Sequence, residues 1–274
     1  MFWNILKARM TIQIREKNFV FWGIIFPVFL STFLFIGTLS KPTLLKDIDH
    51  FEPVMEGNTQ IVNTYLDLDG NLSDIIFFLG ILAIACIISG FSGCREMEDY
   101  SYFVSSKAIR VQTAPISSSL FFICGLCATW GLAFMYLVIL FTYFKFVLGI
   151  RLVGPLIGWI LLFGLSTLCG CLIGMFTGLC SKQSIPIKQG EIAIFGVGGC
   201  ILAGLINDDM KFYVDAYLPI ISKINPTSIM VEAMFTLCLH GMTEHFMECI
   251  MSLCIWNVVG LLGVIFLIYR RKMI

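Results

Sequence analysis

Residues 120–144 read LFFICGLCATWGLAFMYLVILFTYF, twenty-five positions without an acidic, basic or histidine side chain. Wound as an α-helix, such a stretch is about 37 Å long, and about 20 apolar residues are enough to cross a hydrocarbon core of about 30 Å. A helix that is apolar all round has no water face, which is what lipid or a protein interior requires. Working outward, four more runs have the same character: Phe19–Ser40, Ile75–Gly93, Pro155–Leu179 and Cys249–Tyr269. A sixth, Ile192–Ile206, is short and rich in glycine (Gly196, Gly198, Gly199, Gly204) and needs Ile185–Ile187 or a locally thin bilayer to complete it. The chain is 58% hydrophobic and 13% charged, against about 45–50% and 25% in a soluble domain. The expected fold is therefore an all-α integral membrane protein with six transmembrane helices, an N-terminal interface helix and, before the last span, a re-entrant or interfacial helical segment.

Formal net charge is zero, which points to no nucleic-acid partner, so the position of the charges carries the information. With six spans and the N-terminus inside, the inner segments hold twelve basic and five acidic residues, net +7. The outer segments hold six basic and thirteen acidic, net −7. Five spans would place Arg270, Arg271 and Lys272 outside, against the positive-inside rule. The expectation is a multi-pass protein of the cell membrane with both termini cytoplasmic.

Four segments between or beside the spans differ in character. Residues 1–17 are basic (Lys7, Arg9, Arg15, Lys17), with Trp3, Leu6, Met10 and Ile14 on one helical face, as an interface-lying helix requires. The outer loop 41–74 is acidic and turn-rich, with Lys41-Pro42, Glu52-Pro53 and Asp69-Gly70-Asn71. In the loop 94–119, Arg95-Glu96-Met97-Glu98-Asp99 precedes Tyr100, Phe103, Val104, Lys107 and Val111 at i, i+3, i+4 spacing, with Arg110 on the same stretch and a stop at Ala114-Pro115. That pattern predicts one short amphipathic helix. Either it is a solvated connector that sets topology, or its apolar stripe seats on a cytoplasmic partner. Segment 207–248 contains an apolar run, Ile229–Leu239, that is too short to cross and includes Glu232, so it reads as re-entrant or interfacial.

Catalytic and metal signatures are few. Cys124-x-x-Cys127 has redox spacing but lies in an apolar helical pattern, and of the eleven cysteines Cys238 and Cys249 are the candidates for an exposed pair. His240-Gly-Met-Thr-Glu244-His245 offers zinc-ligand types yet matches neither His-Glu-x-x-His nor His-x-x-Glu-His. Gly164-Leu165-Ser166 has no membrane histidine to activate it, and no Gly-x-x-x-x-Gly-Lys-Ser/Thr loop is present to bind ATP. Gly170-x-x-x-Gly174-x-x-x-Gly178 is a small-residue stripe for close helix approach, and Pro27 is expected to kink the first span.

Several of these features together resemble the permease subunits of type-2 ABC exporters. They are Arg15-Glu16-Lys17 before a proline-containing first span, Arg95-Glu96 leading to Ala114-Pro115-Ile116-Ser117, and Ile224-Asn225-Pro226-Thr227 through Glu232-Ala233 before the last span. Asp99-Tyr100-Ser101 stands where that family often has Gly-Thr. The resemblance implies a dimer of permease chains, alike or homologous, with first and fifth spans near their interface. It also implies separate ABC ATPase subunits carrying ATP and Mg, so that this chain itself has no cofactor or catalytic site. Arg95, Glu96, Tyr100, Phe103, Lys107 and Arg110 would couple to the ATPase, and Asn225, Pro226 and Glu232 would belong to an outer gate. The expected cargo is amphipathic or hydrophobic: a drug, an antimicrobial peptide or a lipid-linked molecule. The alternative is a non-transporting membrane scaffold or a membrane-embedded enzyme.

Overall fold

The computed structural model describes residues 2–16, 20–39, 72–98, 118–150, 152, 154–180, 183–203, 217 and 224–272. Among them the regular structure is helical throughout: α1 (Phe2–Arg15), α2 (Phe26–Leu39), α3 (Leu72–Ile88), α4 (Gly90–Glu98), α5 (Ser118–Phe146), α6 (Leu156–Cys180), α7 (Ile185–Leu202), α8 (Pro226–His240) and α9 (Glu244–Lys272). Five stretches are long and apolar enough to cross a membrane: Phe77–Met97, Ser119–Phe146, Leu156–Cys180, Ile185–Leu202 and Glu244–Arg270. The chain is thus an α-helical, multi-pass membrane protein. Phe21–Gly37 is also apolar but shorter.

A π-helical turn, Phe21–Ile25, leads into α2, and the Phe26 N–H reaches back to the Phe21 carbonyl. This wider register stands immediately before Pro27, which has no N–H and whose ring crowds the carbonyl four residues back.

The bundle is built around α6. Its glycine stripe faces α3 and α4 so closely that a Cβ at Gly170 would strike the Cys86 carbonyl, one at Gly174 the Gly90 carbonyl, and one at Gly178 the Cys94 carbonyl. The stripe therefore serves packing within the chain. Three neighbours also hydrogen-bond to backbone carbonyls within one turn of α6. Trp130 Nε1 of α5 donates to Gly164 O (2.9 Å), Asn257 Nδ2 of α9 to Leu165 O (3.1 Å), and Ser89 Oγ to Thr167 O (3.2 Å). In the most apolar 18-residue stretch of Phe77–Met97, 89% of residues are buried, against 22% in that of Glu244–Arg270. The former is the core and the latter presents its side outward, with Met251, Ile255, Val259 and Phe266 exposed.

Several boundaries move. The second apolar run was expected to end at Gly93, but α4 continues the helix to Glu98 with Met97 fully buried, so Arg95 and Glu96 stand on the spanning helix and not in a loop. The short run expected over Ile192–Ile206 begins at Ile185: Lys188 is buried and donates from Nζ to Gly178 O (3.0 Å) near the C-terminus of α6, where a cation is favoured. Cys238 and Cys249, expected as an exposed pair, are 4% and 6% exposed, and among the described residues no cysteine forms a disulfide. Burial in apolar surroundings suits a small, weakly polar thiol.

Within segment 207–248, α8 is about 22 Å long, and eleven of its residues are buried. Its beginning meets α7 at Gly199, and Leu237 packs on Gly154 and Gly158 at the beginning of α6. It therefore lies inside the half of the bundle remote from α1. That half is called the far end below, and the half that holds α1 the basic end. The last helix starts at Glu244, so Glu244–Glu248 belongs to α9.

Candidate functional site

The helix α1 divides into three sectors, and the sequence reading recognised two of them. Trp3 (72% exposed) and Ile14 form an apolar sector, beside a polar one with Lys7, Thr11 and Arg15. The third carries Arg9 and Gln13, both buried, with Leu6 partly buried. Leu6 and Met10, assigned from sequence to the stripe with Trp3, are only partly exposed, and Met10 packs on the Leu132–Tyr136 cluster of α5.

The buried sector forms an ionic clamp on α4. Arg9 Nη1 lies 2.7 Å from Glu96 Oε1, with the two side chains only 9% and 4% exposed. Gln13 Nε2 donates to Glu96 Oε2 at 3.1 Å, and the Arg9 guanidinium sits 3.8 Å above the Phe121 ring of α5. Space for the carboxylate exists because α5 has Gly125 there; a Cβ would strike Glu96 Oε1. One residue on, Arg95 Nε meets Glu16 Oε1 at 2.8 Å in a half-exposed pair. A buried arginine is suited to this task, because its planar fork matches a carboxylate while its face stacks on an aromatic ring. Together these contacts fasten the N-terminal helix to the last turn of α4, directly before residues 99–117.

Of the residues singled out in sequence, Glu96 thus faces inward to Arg9 and Gln13, and Arg95 faces Glu16. Tyr100, Phe103, Lys107 and Arg110 lie outside the described residues. Arg9, Gln13 and Gly125 were missed as members of the site. The available signal was a basic residue on the buried-facing side of an amphipathic helix; its partner lies 87 positions away.

At the far end, Asn225 and Pro226 start α8. Asn225 Oδ1 accepts from Thr227 N (3.2 Å) and Thr227 Oγ1 (2.5 Å), and its Nδ2 donates to Gly199 O (2.8 Å). Asparagine at the N-cap and proline at the first helical position are the favoured pair. One side chain therefore both caps α8 and ties it to α7. We expect Asn225→Ala to cost about 1–2 kcal/mol, read as a lower thermal midpoint of the purified protein, with Asn225→Asp retaining the cap but not the Gly199 bond.

Glu232 is not alone: its Oε1 lies 2.9 Å from His245 Nε2, and His245 Nδ1 lies 3.3 Å from Glu248 Oε2. Among the described residues no three His, Cys, Asp or Glu side chains converge as metal ligands. Ser166 is fully buried, and its Oγ has no partner among the described residues.

No protein-family model, no curated protein and no solved structure matches the chain. The geometry therefore carries the functional reading.

Proposed function

We propose that this chain is the membrane-spanning subunit of an ATP-driven exporter of the type-2 ABC kind, with six spans and both termini in the cytoplasm. The observation that carries the reading is the clamp of Arg9, Gln13 and Glu96. It joins the N-terminal helix to the end of the second spanning helix, where the segment with Tyr100, Phe103, Lys107 and Arg110 begins. A displacement imposed on that segment by an ATPase would pass into α4, into α1 through the clamp, and into α6 through the glycine contacts. In this scheme Arg95 and Glu96 couple by holding α1, while the four residues beyond supply the docking surface.

The topology fits the same reading. The basic end becomes the cytoplasmic side, Phe21–Gly37 becomes the first of six spans, and α1 lies along the interface with Trp3 and Ile14 toward lipid. The helix α8 becomes a re-entrant element in the outer half of the bundle, with Asn225, Pro226 and Glu232 at its gate. A second permease chain is supported by Glu191, exposed on the outward flank of α7 beside Ile187 and Ile194 and about 9 Å along the helix from Ile185. An acidic side chain facing lipid at depth is unfavourable by about 2.5–3.5 kcal/mol at the bilayer centre. The apolar bundle suits an amphipathic or hydrophobic cargo.

The test is affinity isolation of the tagged chain from its native membrane. A P-loop ATPase should co-purify in stoichiometric amount and hydrolyse ATP, and Tyr100→Ser with Phe103→Ser should release it while the permease stays inserted and monodisperse. Isolation of the wild-type chain without any P-loop protein would overturn the assignment.

A further inference from the structure

The ring of His245 stands between two carboxylates on different helices, Glu232 of α8 at 2.9 Å from Nε2 and Glu248 of α9 at 3.3 Å from Nδ1. Ionised carboxylates only accept hydrogen bonds, and a neutral imidazole has one N–H and one bare lone pair. Both contacts can therefore be hydrogen bonds at once only if the ring carries two protons or one carboxyl carries one. With a neutral ring, one of the two carboxylates faces a lone pair.

Among the described residues, no lysine or arginine forms an ion pair with either carboxylate. The titratable groups of α8 among these residues are Glu232, Cys238 and His240, and those on this end of α9 are Glu244, His245, Glu248 and Cys249; α3 and α7, which also pack on α8, carry Asp74, Cys86, Lys188, Glu191 and Cys200, with Lys188 bound at the basic end. The helix α6, which packs on both, carries no acidic, basic or histidine residue along its length. The three-residue link Gly241–Thr243 between α8 and α9 has none either, and Gly241 turns it with φ +71°. The His245–Glu232 contact is consequently the ionic tie between α8 and α9 among the described residues.

We propose that His245 is a proton-operated latch at the far end of the bundle, which holds α8 to α9 under acidic conditions and slackens when the imidazolium loses its proton. The latch is a property of this chain alone and stands independently of the exporter reading. Its sign follows from the proton count: the tie is complete at low pH and is weakened as pH rises through the titration of the ring.

The test compares thermal unfolding midpoints of the full-length protein in detergent at pH 5.5 and pH 8. Between these values the wild type should lose about 2–4 °C more than His245→Gln, whose amide does not titrate. Glu232→Gln provides the second arm. Its side-chain amide replaces the carboxylate that the imidazolium ties and can donate to a neutral Nε2, so this variant too should lose less than the wild type between pH 5.5 and pH 8. An equal pH slope in wild type and His245→Gln, or a wild-type slope in Glu232→Gln, would each overturn the latch.

Discussion

Arg9→Leu is expected to destabilise the folded protein by about 3–5 kcal/mol, the cost of leaving a buried carboxylate without its partner. The effect is large because the Glu96 side chain is 4% exposed and walled by α1, α4 and α5, so water cannot replace the guanidinium. Glu96 would keep the Gln13 amide as a donor. Arg9→Lys should fall between, since an ammonium restores charge but neither the fork nor the stacking on Phe121. Arg9→Leu combined with Glu96→Leu should recover most of the loss, because removing both charges removes the desolvation penalty as well. Denaturant unfolding in mixed micelles with a double-mutant cycle measures this, and a single-variant loss under about 1 kcal/mol would mean that the site is wet. If α1 detaches in the single variant, trypsin should cut after Lys7 or Arg15 far faster than in the wild type.

Gly174→Val is the second large effect expected. A Cβ there meets the Gly90 carbonyl, and its neighbours along the stripe meet the carbonyls of Cys86 and Cys94, so the obstacle is backbone on two helices and no side chain can swing away. Overpacking in ordinary cores costs about 1–3 kcal/mol, and this contact should reach or exceed the upper value, because α3 and α4 must retreat from α6 along their length. Gly131→Ala is the control: a Cβ meets nothing within 4 Å, and removing a helical glycine should be neutral or stabilising by about 0.5–1 kcal/mol. Loss of monodisperse protein in the first variant and not the second is the expected pattern. Equal behaviour would show that the helices are not in backbone contact.

The spans were legible because length and hydropathy act locally: residues 120–144 need no partner to be recognised. The ends of spans were harder. Arg95 and Glu96 read as the exit from the second span because a single sequence shows their charges and hides the neutralising Arg9. Lys188 read as loop for the same reason, since its acceptor is a backbone carbonyl of the preceding helix. The stripe of Gly170, Gly174 and Gly178 could be seen in the sequence, but its partners at Cys86, Gly90 and Cys94 could not be assigned from spacing alone. His245 was visible as a side chain of zinc-ligand type, whereas the Glu232 contact depends on the turn at Gly241 that folds α8 back along α9.

Because α6 gathers its neighbours' contacts, the order in which the chain is made acquires a consequence. Between Glu98 and Gly170 lie 71 residues, which a ribosome adds in about 4–14 s. During that interval α3, α4 and the growing α5 reside in the bilayer before the surface meant to cover Ser89, Gly90 and Gly93 exists. The half-finished protein therefore exposes a seam of bare backbone to lipid, and whatever keeps that seam apart from other nascent helices bears on how much correctly assembled protein a cell obtains.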